Sequence, residues 1–501
     1  MMWLGVVKIK FLSWEQREQV GCSFIIDKLE VITSFGIEEK KNIKPYKNRS
    51  LLIEELENVD ILIASINNHK QSIDNIQRVF CKLKDIRNTL NRCKENITLD
   101  EVELFEVKSF ALLMEELLSA YNNLEIAIKG ICFNRLEKAL AILDPEHKSL
   151  ATFHIYEQYS EKLKYIRQEK RRLEAEIYKE RDAEKVLKLK EKRLQEVLKE
   201  EEEELVIRKT LTKALSSYTA AMEENIKSVG KLDFLIAKAK LAMEYNAVKP
   251  DMTEEFKIRL TDMYNPQIVE LLKVKQKKFT PITINLEKGS SVITGANMGG
   301  KSVALKTAVL NLFLAQCGFF VFAKTAELPV VEFIYFISDD MQDISQGLST
   351  FGAEIIRLKE VIEDAKGRQG FIVLDEFARG TNPKEGFYLI KALCRYLNGL
   401  SSISLISTHY DKVVEKDMVH YQVTGLKNVN LEALKYRIDL NRLKSVDILQ
   451  ENMEYTLERV SEKESVPKDA LNIAILLGLQ SEIIEEARVF YEEGLGEKDG
   501  K

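Results

Sequence analysis

The sequence predicts an α + α/β fold, with a helical first half and a second half in which strands and helices alternate. Only Pro45 and Pro145 fall within the first 249 of the 501 residues, whereas six prolines follow them. Beyond residue 280, short apolar runs alternate with helix-forming stretches, as in a sheet covered by helices. We place the boundary between the two halves near residues 250–280.

Apolar residues recur at helical spacing in three segments of the first half, 51–64, 72–93 and 99–134. We therefore predict a helical core over residues 1–150. From Tyr159 onward the apolar residues are separated by threes and fours, which is typical of a coiled-coil seam. The predicted seam consists of Leu163, Ile166, Leu173, Ile177, Leu187, Leu194 and Leu198.

Five consecutive glutamates at 200–204 follow this seam and precede a second apolar stripe over residues 211–236. The pattern predicts a long antiparallel coiled-coil arm within residues 151–249 that turns at the acidic run. An arm of about 45 residues at 1.5 Å per residue is expected to be roughly 65 to 70 Å long. The alternative is a pair of surface helices folded onto the body.

Residues 295–302 read Gly-Ala-Asn-Met-Gly-Gly-Lys-Ser and lie between an apolar run and a helix-forming stretch. A glycine-rich turn at a helix N-terminus lets backbone N–H groups surround one phosphate. We expect Lys301 to reach the β- and γ-phosphates of ATP and Ser302 to hold Mg²⁺. The candidate nucleotide-binding residues here are Gly295, Asn297, Met298, Gly299, Gly300, Lys301, Ser302 and Val303.

Two acids, Asp375 and Glu376, end the apolar run 371–374. Asp375 is the expected second metal-binding residue, and Glu376 is the expected catalytic group that polarises the attacking water. His409 follows another apolar run, 403–406, and is the candidate sensor of the γ-phosphate or the water. The order of loop, acid strand and sensor strand predicts a P-loop ATPase domain over residues 250–425.

Residues 426–501 are predicted to end in a helix-turn-helix used for packing or dimerisation. The formal net charge of −5, from 74 basic and 79 acidic residues, disfavours an extended DNA-binding surface but permits a local basic face. Six cysteines without C-x-x-C spacing are expected to be reduced, and no apolar run has the length of a membrane span. These features favour a cytoplasmic protein with no membrane partner.

Four blocks in this order resemble the ATPase domain of the MutS family. They are residues 293–302, Leu348-Ser349-Thr350-Phe351, residues 375–381 with Gly386, and residues 407–410. The resemblance implies an ABC-type fold in which two chains form a homodimer around ATP. Ser349 and Thr350 would then face the nucleotide bound by the partner subunit, and Phe279 would stack on the adenine.

The helical half is similar to the core and lever region of the MutS family, which makes the charged hairpin the clamp arm. In DNA-acting members this arm closes around the duplex. The chain is expected to lack the mismatch-recognition and connector domains, because it begins at the core. Two departures from the family are Ala378, where glycine is usual, and Leu348, where arginine is frequent.

The favoured hypothesis is a dimeric ATPase that opens and closes a clamp on DNA without reading mismatches. The acidic run at the predicted tip favours a protein partner instead, because carboxylates repel phosphates. Some truncated MutS-like proteins resemble this chain and reactivate cobalamin-dependent amino-acid aminomutases, so a protein-remodelling ATPase is the alternative. If the run is only a solvated turn, DNA could be gripped near Lys185 and Arg193. A nucleotide-gated scaffold with little turnover is a third hypothesis.

Overall fold

The computed structural model describes residues 11–146, 148, 152–295, 299–338, 350–410, 412–427, 429–440, 445–460 and 469–496. The chain forms two compact units. Unit 1 takes the described parts of 1–29, 44–57 and 241–501, and unit 2 takes those of 30–43 and 58–240. The combination of helices with α/β sheet confirms the predicted fold class. Among the described residues, no helix is long and apolar enough to cross a membrane.

The α-helices are α1 Trp14–Gln19, α2 Cys22–Asp27, α3 Ser34–Lys41, α4 Arg49–Asn68, α5 Lys70–Lys82, α6 Arg87–Lys94, α7 Glu101–Asn122, α8 Glu137–Leu143, α9 Glu161–Lys179, α10 Ala183–Leu215, α11 Thr219–Glu244, α12 Pro266–Val274, α13 Lys301–Gln316, α14 Thr350–Ala365, α15 Pro383–Asn398, α16 Leu431–Leu440, α17 Ser445–Asn452, α18 Asp469–Leu476 and α19 Ser481–Gly496. The strands are β1 Asp251–Thr253, β2 Ile258–Met263, β3 Ile282–Leu286, β4 Gly289–Thr294, β5 Thr325–Pro329, β6 Ile334–Ser338, β7 Phe371–Asp375, β8 Ile403–Ser407, β9 Val419–Gly425 and β10 Glu454–Arg459.

Unit 2 is helical, and α7 is one of its long helices, with 22 residues. The helix begins at a capping box, in which the side chains of Asp100 and Glu103 each accept a hydrogen bond from the backbone N–H of the other. Its apolar face is buried, and Lys108 on that face is fully buried as well. The Lys108 ammonium donates to Asp144 Oδ1 and to Tyr156 Oη, both at 3.1 Å. These bonds join α7 to the segment that leads into α9.

Helices α9 and α10 run antiparallel and are connected by residues 180–182. The predicted turn at 200–204 is therefore wrong, because these glutamates lie inside α10. The helix starts where Asp182 accepts hydrogen bonds from the backbone N–H groups of Glu184 and Lys185. Since α9 has 19 residues, the paired part of the hairpin is about 28 Å long, which corrects the predicted 65 to 70 Å.

The glutamates at 200–204 remain helical because glutamate is a good helix former and because α9 neutralises several of them. Arg167 donates to Glu200 and to Glu204, each at 2.8 Å. Lys170 forms a second ion pair with Glu200. The acidic run thus lies beside the start of α9, far from the turn, and the observation that favoured a protein partner no longer holds.

The predicted leucine seam is correct for α9 and wrong for α10. Leu163, Ile166 and Leu173 are buried, but the side chains of Leu187, Leu194 and Leu198 are 60%, 59% and 53% exposed. The side of α10 that faces α9 includes Arg193, which pairs with Glu174, and Glu200 and Glu203, which pair with Arg167 and Lys162. At about 100° per residue, the leucines lie on the opposite side of the helix.

Unit 1 contains two sheets. The larger has the order β10-β9-β4-β8-β7-β6 and is parallel except for β10. Strands β4, β7 and β8 are buried at every position, as expected for the centre of a parallel sheet. Their carboxyl ends meet at one edge, which is where ligands bind in open α/β sheets. The second sheet, with the order β1-β5-β2-β3, had no counterpart in the sequence prediction.

The last described helices, α18 and α19, are separated by residues 477–480. Leu476 and Ile484 are buried, and Leu476 packs in a small cluster with Leu434 and Ile448. Ile483, the residue before Ile484, is half-exposed. A role of these helices in dimerisation stays a prediction.

Candidate functional site: a phosphate loop beside two acids

The phosphate loop leaves the central strand β4 and ends at the N-terminus of α13. Gly295 and Gly300 have φ angles of +134° and +86°, in the region that side chains other than glycine rarely adopt. A Cβ on Gly300 would also lie 3.2 Å from Tyr455 Cδ1, which is tighter than ordinary contact. Both glycines are therefore required by the backbone of this turn. Two predicted binding residues, Asn297 and Met298, lie outside the described residues.

Lys301 is 3% exposed and its ammonium points back over the loop. Its Nζ donates to the carbonyl oxygen of Gly295 at 2.9 Å and lies 3.3 Å from Glu376 Oε1. Burial lowers the pKa of Lys301 because it penalises the charged form, and the neighbouring Glu376 opposes that shift. The lysine is thus held between the loop and the acid strand.

Ser302 and Asp375 meet across the edge of the sheet. Ser302 Oγ donates to Asp375 Oδ1 at 3.0 Å, which joins the first turn of α13 to the end of β7. Ser407 Oγ donates to the same carboxylate oxygen at 2.6 Å, because the parallel register places Ser407 beside Asp375. Burial raises the pKa of Asp375, and the hydrogen bonds from Ser407 and Ser302 oppose this shift.

Glu376 follows Asp375 in a left-handed backbone conformation, with φ at +48°. Its N–H donates to Ser407 Oγ at 3.0 Å, so one serine orients both acids. Its Oε2 accepts from Arg379 Nη1 at 2.9 Å, while its Oε1 faces Lys301. The carboxylate is therefore shared by two cations.

The remaining predicted residues occupy different positions. His409 is exposed, two residues beyond β8, and its ring lies 4.2 Å from that of Tyr410. Thr350 begins α14, and Ser349 lies outside the described residues. Phe279 is half-buried in the segment between α12 and β3. Val303 is half-buried in the first turn of α13. The roles of all these residues stay predictions.

Sequence reasoning gave no role to Ser407, Arg379 or His420. Ser407 was detectable in principle, because it ends a strand of the same length as the acid strand. Arg379 is three residues beyond Glu376, a spacing that allows an ion pair. His420 Nε2 lies 2.7 Å from Thr294 Oγ1. Burial lowers the pKa of His420. It belongs to β9, a strand that sequence reasoning did not predict.

Residues 291–492, which contain this site, match the family described as MutS domain V. Two named groups of proteins share sequence with the chain. It is 31% identical to Endonuclease MutS2 of Carboxydothermus hydrogenoformans over 299 residues, which cover 58% of this chain and 35% of that protein. Residues 291–492 are thus similar to domain V of MutS proteins. The predicted resemblance is thereby confirmed.

Two further MutS relatives show the same partial coverage. The DNA mismatch repair protein MutS of Thermodesulfovibrio yellowstonii is 27% identical over 311 residues, covering 61% of this chain and 34% of that protein. Endonuclease MutS2 of Caldicellulosiruptor bescii is 35% identical over 222 residues, covering 43% and 27%. The chain thus spans about a third of the length of these relatives, and their shared segments carry the likeness.

Proposed function

We propose that this MutS-like chain hydrolyses ATP as a homodimer and couples ATP binding and hydrolysis to the opening and closing of a helical clamp on DNA. The observation that carries the ATPase part is the convergence of four side chains at the end of β4 and β7. Ser302 Oγ lies 3.0 Å from Asp375 Oδ1, and Lys301 Nζ lies 3.3 Å from Glu376 Oε1. A lysine for the phosphates, a hydroxyl and a carboxylate for the metal ion, and a second carboxylate for the attacking water are the groups that phosphoryl transfer requires.

The residues at this edge fit Mg²⁺ and a triphosphate. Hydroxyl and carboxylate oxygens suit Mg²⁺, and Ser302 and Asp375 present such oxygens 3.0 Å apart. The glycines leave space that a Cβ at Gly300 would fill. Mg²⁺, when bound, neutralises the developing charge on the phosphates. Ser302 and Asp375 would hold it, and Lys301 would bind the phosphate oxygens.

Glu376 is the proposed general base. Phosphate oxygens would compete with Glu376 for the ammonium of Lys301, which frees one carboxylate oxygen. That oxygen can accept the proton of the water that attacks the γ-phosphorus, while the phosphorus–oxygen bond to the leaving diphosphate breaks. The backbone of Glu376, fixed by Ser407, keeps the carboxylate at this position.

The Glu376→Gln variant tests this assignment. It should retain ATP binding but hydrolyse about 10² to 10⁴ times more slowly, because a general base contributes that much. The matched control is Glu385→Gln, which removes an exposed acid from the first turn of α15. Turnover of Glu376→Gln at the rate of the control would refute the proposed base. Lys301→Ala should lose ATP binding altogether in calorimetry.

The excess of basic side chains around the connection between α9 and α10 favours nucleic acid as the ligand of the clamp. Residues 178–193, around this turn, contain seven basic and four acidic side chains. Lys185, Lys188 and Lys192 are exposed and recur at helical spacing on one face of α10. A local excess of positive charge attracts phosphates even when the whole chain is acidic.

DNA titration at two salt concentrations tests the clamp. Each phosphate contact contributes about −0.9 to the slope of log affinity against log salt. Lys185→Ala and Lys192→Ala should each reduce that slope by about 1. Lys213→Ala, an exposed lysine near the other end of α10, is the control and should leave the slope unchanged. Absence of binding at low salt would contradict a DNA clamp.

A further inference from the structure

Helix α14 buries a charged residue on an otherwise apolar face. Leu358, Val361 and Ala365 of this face are buried and belong to one hydrophobic core cluster. Glu354 precedes Leu358 by about one helical turn, lies on the same face and is 8% exposed. A buried carboxylate costs free energy unless hydrogen bonds compensate for the lost water. An apolar side chain would be enough for packing, so the carboxylate at this position indicates a further role.

The Glu354 carboxylate binds the turn that carries the proposed base. Its Oε2 accepts a hydrogen bond from the backbone N–H of Ala378 at 3.1 Å. Ala378 has φ at +63°, and Glu376, two residues earlier, has φ at +48°. Residues other than glycine rarely adopt this left-handed conformation. Because hydrogen bonds to a charged acceptor are roughly twice as strong as those between neutral groups, the carboxylate is well suited to hold the strained backbone.

The other side of the same turn lies against α15. A Cβ at Gly386 would overlap Tyr410 Oη and would lie 3.2 Å from the carbonyl oxygen of Ala378. The missing side chain at Gly386 therefore lets this carbonyl approach α15 closely. Ala378 itself is fully buried in the same core cluster as Leu358. Helix α14 thus holds the N–H of Ala378, while α15 limits where its carbonyl can move.

We propose that Glu354 is a positioning residue for hydrolysis, which keeps Ala378 left-handed and thereby keeps the carboxylate of Glu376 beside Lys301. The proposal rests on the ATPase function proposed above, and it assigns Glu354 no contact with the nucleotide or Mg²⁺. Without the Glu354 carboxylate, the left-handed conformation of an alanine is disfavoured by roughly 5- to 30-fold in population. Glu376 then spends most of its time away from the position in which it can accept a proton.

Steady-state hydrolysis and calorimetry test the role of Glu354. Glu354→Ala should lower kcat by roughly 5- to 30-fold and change the calorimetric ATP affinity by less than about twofold, because the phosphate loop keeps its groups. Glu354→Gln retains an oxygen acceptor and should lose less. Glu363→Ala removes an exposed acid from the same helix and is the matched control, which should keep the rate of the unchanged chain. Glu354→Ala at the rate of this control would overturn the proposal.

A second substitution separates positioning from a general loss of structure. Glycine adopts the left-handed conformation without strain, so adding Ala378→Gly to Glu354→Ala should recover most of the lost rate. A chain that was merely misfolded would not be rescued in this way, because an added glycine also increases the conformational entropy of the unfolded chain. If Glu354→Ala does not bind ATP, the same rescue is measured on Glu354→Gln. Absence of rescue would contradict the role given to Glu354.

The Glu376→Gln background distinguishes this inference from the proposed ATPase function. If Glu354 acts through Glu376, adding Glu354→Ala should leave the residual single-turnover hydrolysis of Glu376→Gln unchanged. A further loss of about fivefold or more would show that Glu354 acts independently of the base, against the proposal. Normal turnover of Glu376→Gln would refute the proposed base and this inference with it. An inactive Glu376→Gln beside a Glu354→Ala chain that keeps the control rate would refute the inference alone.

Discussion

Replacement of Asp144 by asparagine is expected to loosen the base of the α9–α10 hairpin. The side chains of Lys108 and Asp144 are 0% and 3% exposed, with Nζ and Oδ1 3.1 Å apart. The substitution keeps the shape of the side chain but leaves a buried ammonium without its counter-charge. Breaking one partner of a buried ion pair costs about 3 to 5 kcal/mol. Because Lys108 also donates a hydrogen bond to Tyr156, the loss of stability also affects the segment that precedes α9.

Hydrogen exchange measured on peptides of α7 is the suitable assay. Trp14, the tryptophan among the described residues, belongs to unit 1, so its fluorescence does not report on unit 2. If the slowest amides of α7 exchange by opening of unit 2, a loss of about 3 to 5 kcal/mol in the free energy of opening lowers their protection factors by about two to four orders of magnitude. Peptides of α13 in unit 1 should keep their protection.

Glu116→Gln is the control on the same helix. Glu116 pairs with Lys82 at 3.5 Å, but both side chains are more than half exposed. An exposed pair contributes about 0 to 1 kcal/mol, so protection should fall by less than about one order of magnitude. Adding Lys108→Met to Asp144→Asn should recover part of the loss, because the uncompensated charge is removed. Equal effects of Asp144→Asn and Glu116→Gln would refute the role given to the buried pair.

Three further predictions concern the ATP site. Gly300→Ala should weaken ATP binding several-fold in calorimetry, because φ is +86° there and Tyr455 is adjacent; a strained residue costs about 1 kcal/mol. Ser407→Ala should slow hydrolysis about tenfold and leave ATP affinity nearly unchanged, because it removes the hydrogen bonds that orient Asp375 and Glu376. Burial raises the pKa of Asp375, and only the ionised form binds Mg²⁺, so the Mg²⁺ concentration for half-maximal hydrolysis should rise as the pH falls through that raised pKa. Magnesium titrations at several pH values check this, and Asp375→Asn should show no such pH dependence.

The nucleotide site could be predicted because its residues occur in short, local sequence motifs. The glycines of the loop are needed for backbone angles, and Lys301 follows them directly in sequence. The acids follow a strand that is apolar throughout because it is buried on both faces. Parallel strand order then brings these groups to one edge. The assignment therefore needed no long-range information beyond the order of the strands.

The turn of the hairpin was missed because its signal is weak. Residues 180–182 contain neither glycine nor proline, and only the N-cap residue Asp182 marks a helix start. The five glutamates looked like a break because like charges repel, but Arg167 and Lys170 of α9 offset that repulsion. These contacts join residues 30 or more positions apart, which periodicity alone does not reveal.

The small sheet was missed for a different reason. β1 has three residues and β2 alternates buried and partly exposed positions, so neither has the continuous apolar run of a central strand. Its order, β1-β5-β2-β3, also mixes parallel and antiparallel pairs. Pairing of this kind is decided by tertiary contacts rather than by local propensity.

The departure from the family at Ala378 has a structural explanation. Ala378 has φ at +63°, the left-handed region in which glycine costs least, so an alanine there is strained by about 1 to 2 kcal/mol. Glu354 of α14 accepts a hydrogen bond from its N–H at 3.1 Å, and Phe377 beside it is buried. These contacts hold the strained turn in place. Glu376 also has a left-handed backbone conformation, and its carboxylate contacts Lys301. The alanine at 378 is tolerated because the surrounding packing holds the backbone in its left-handed conformation.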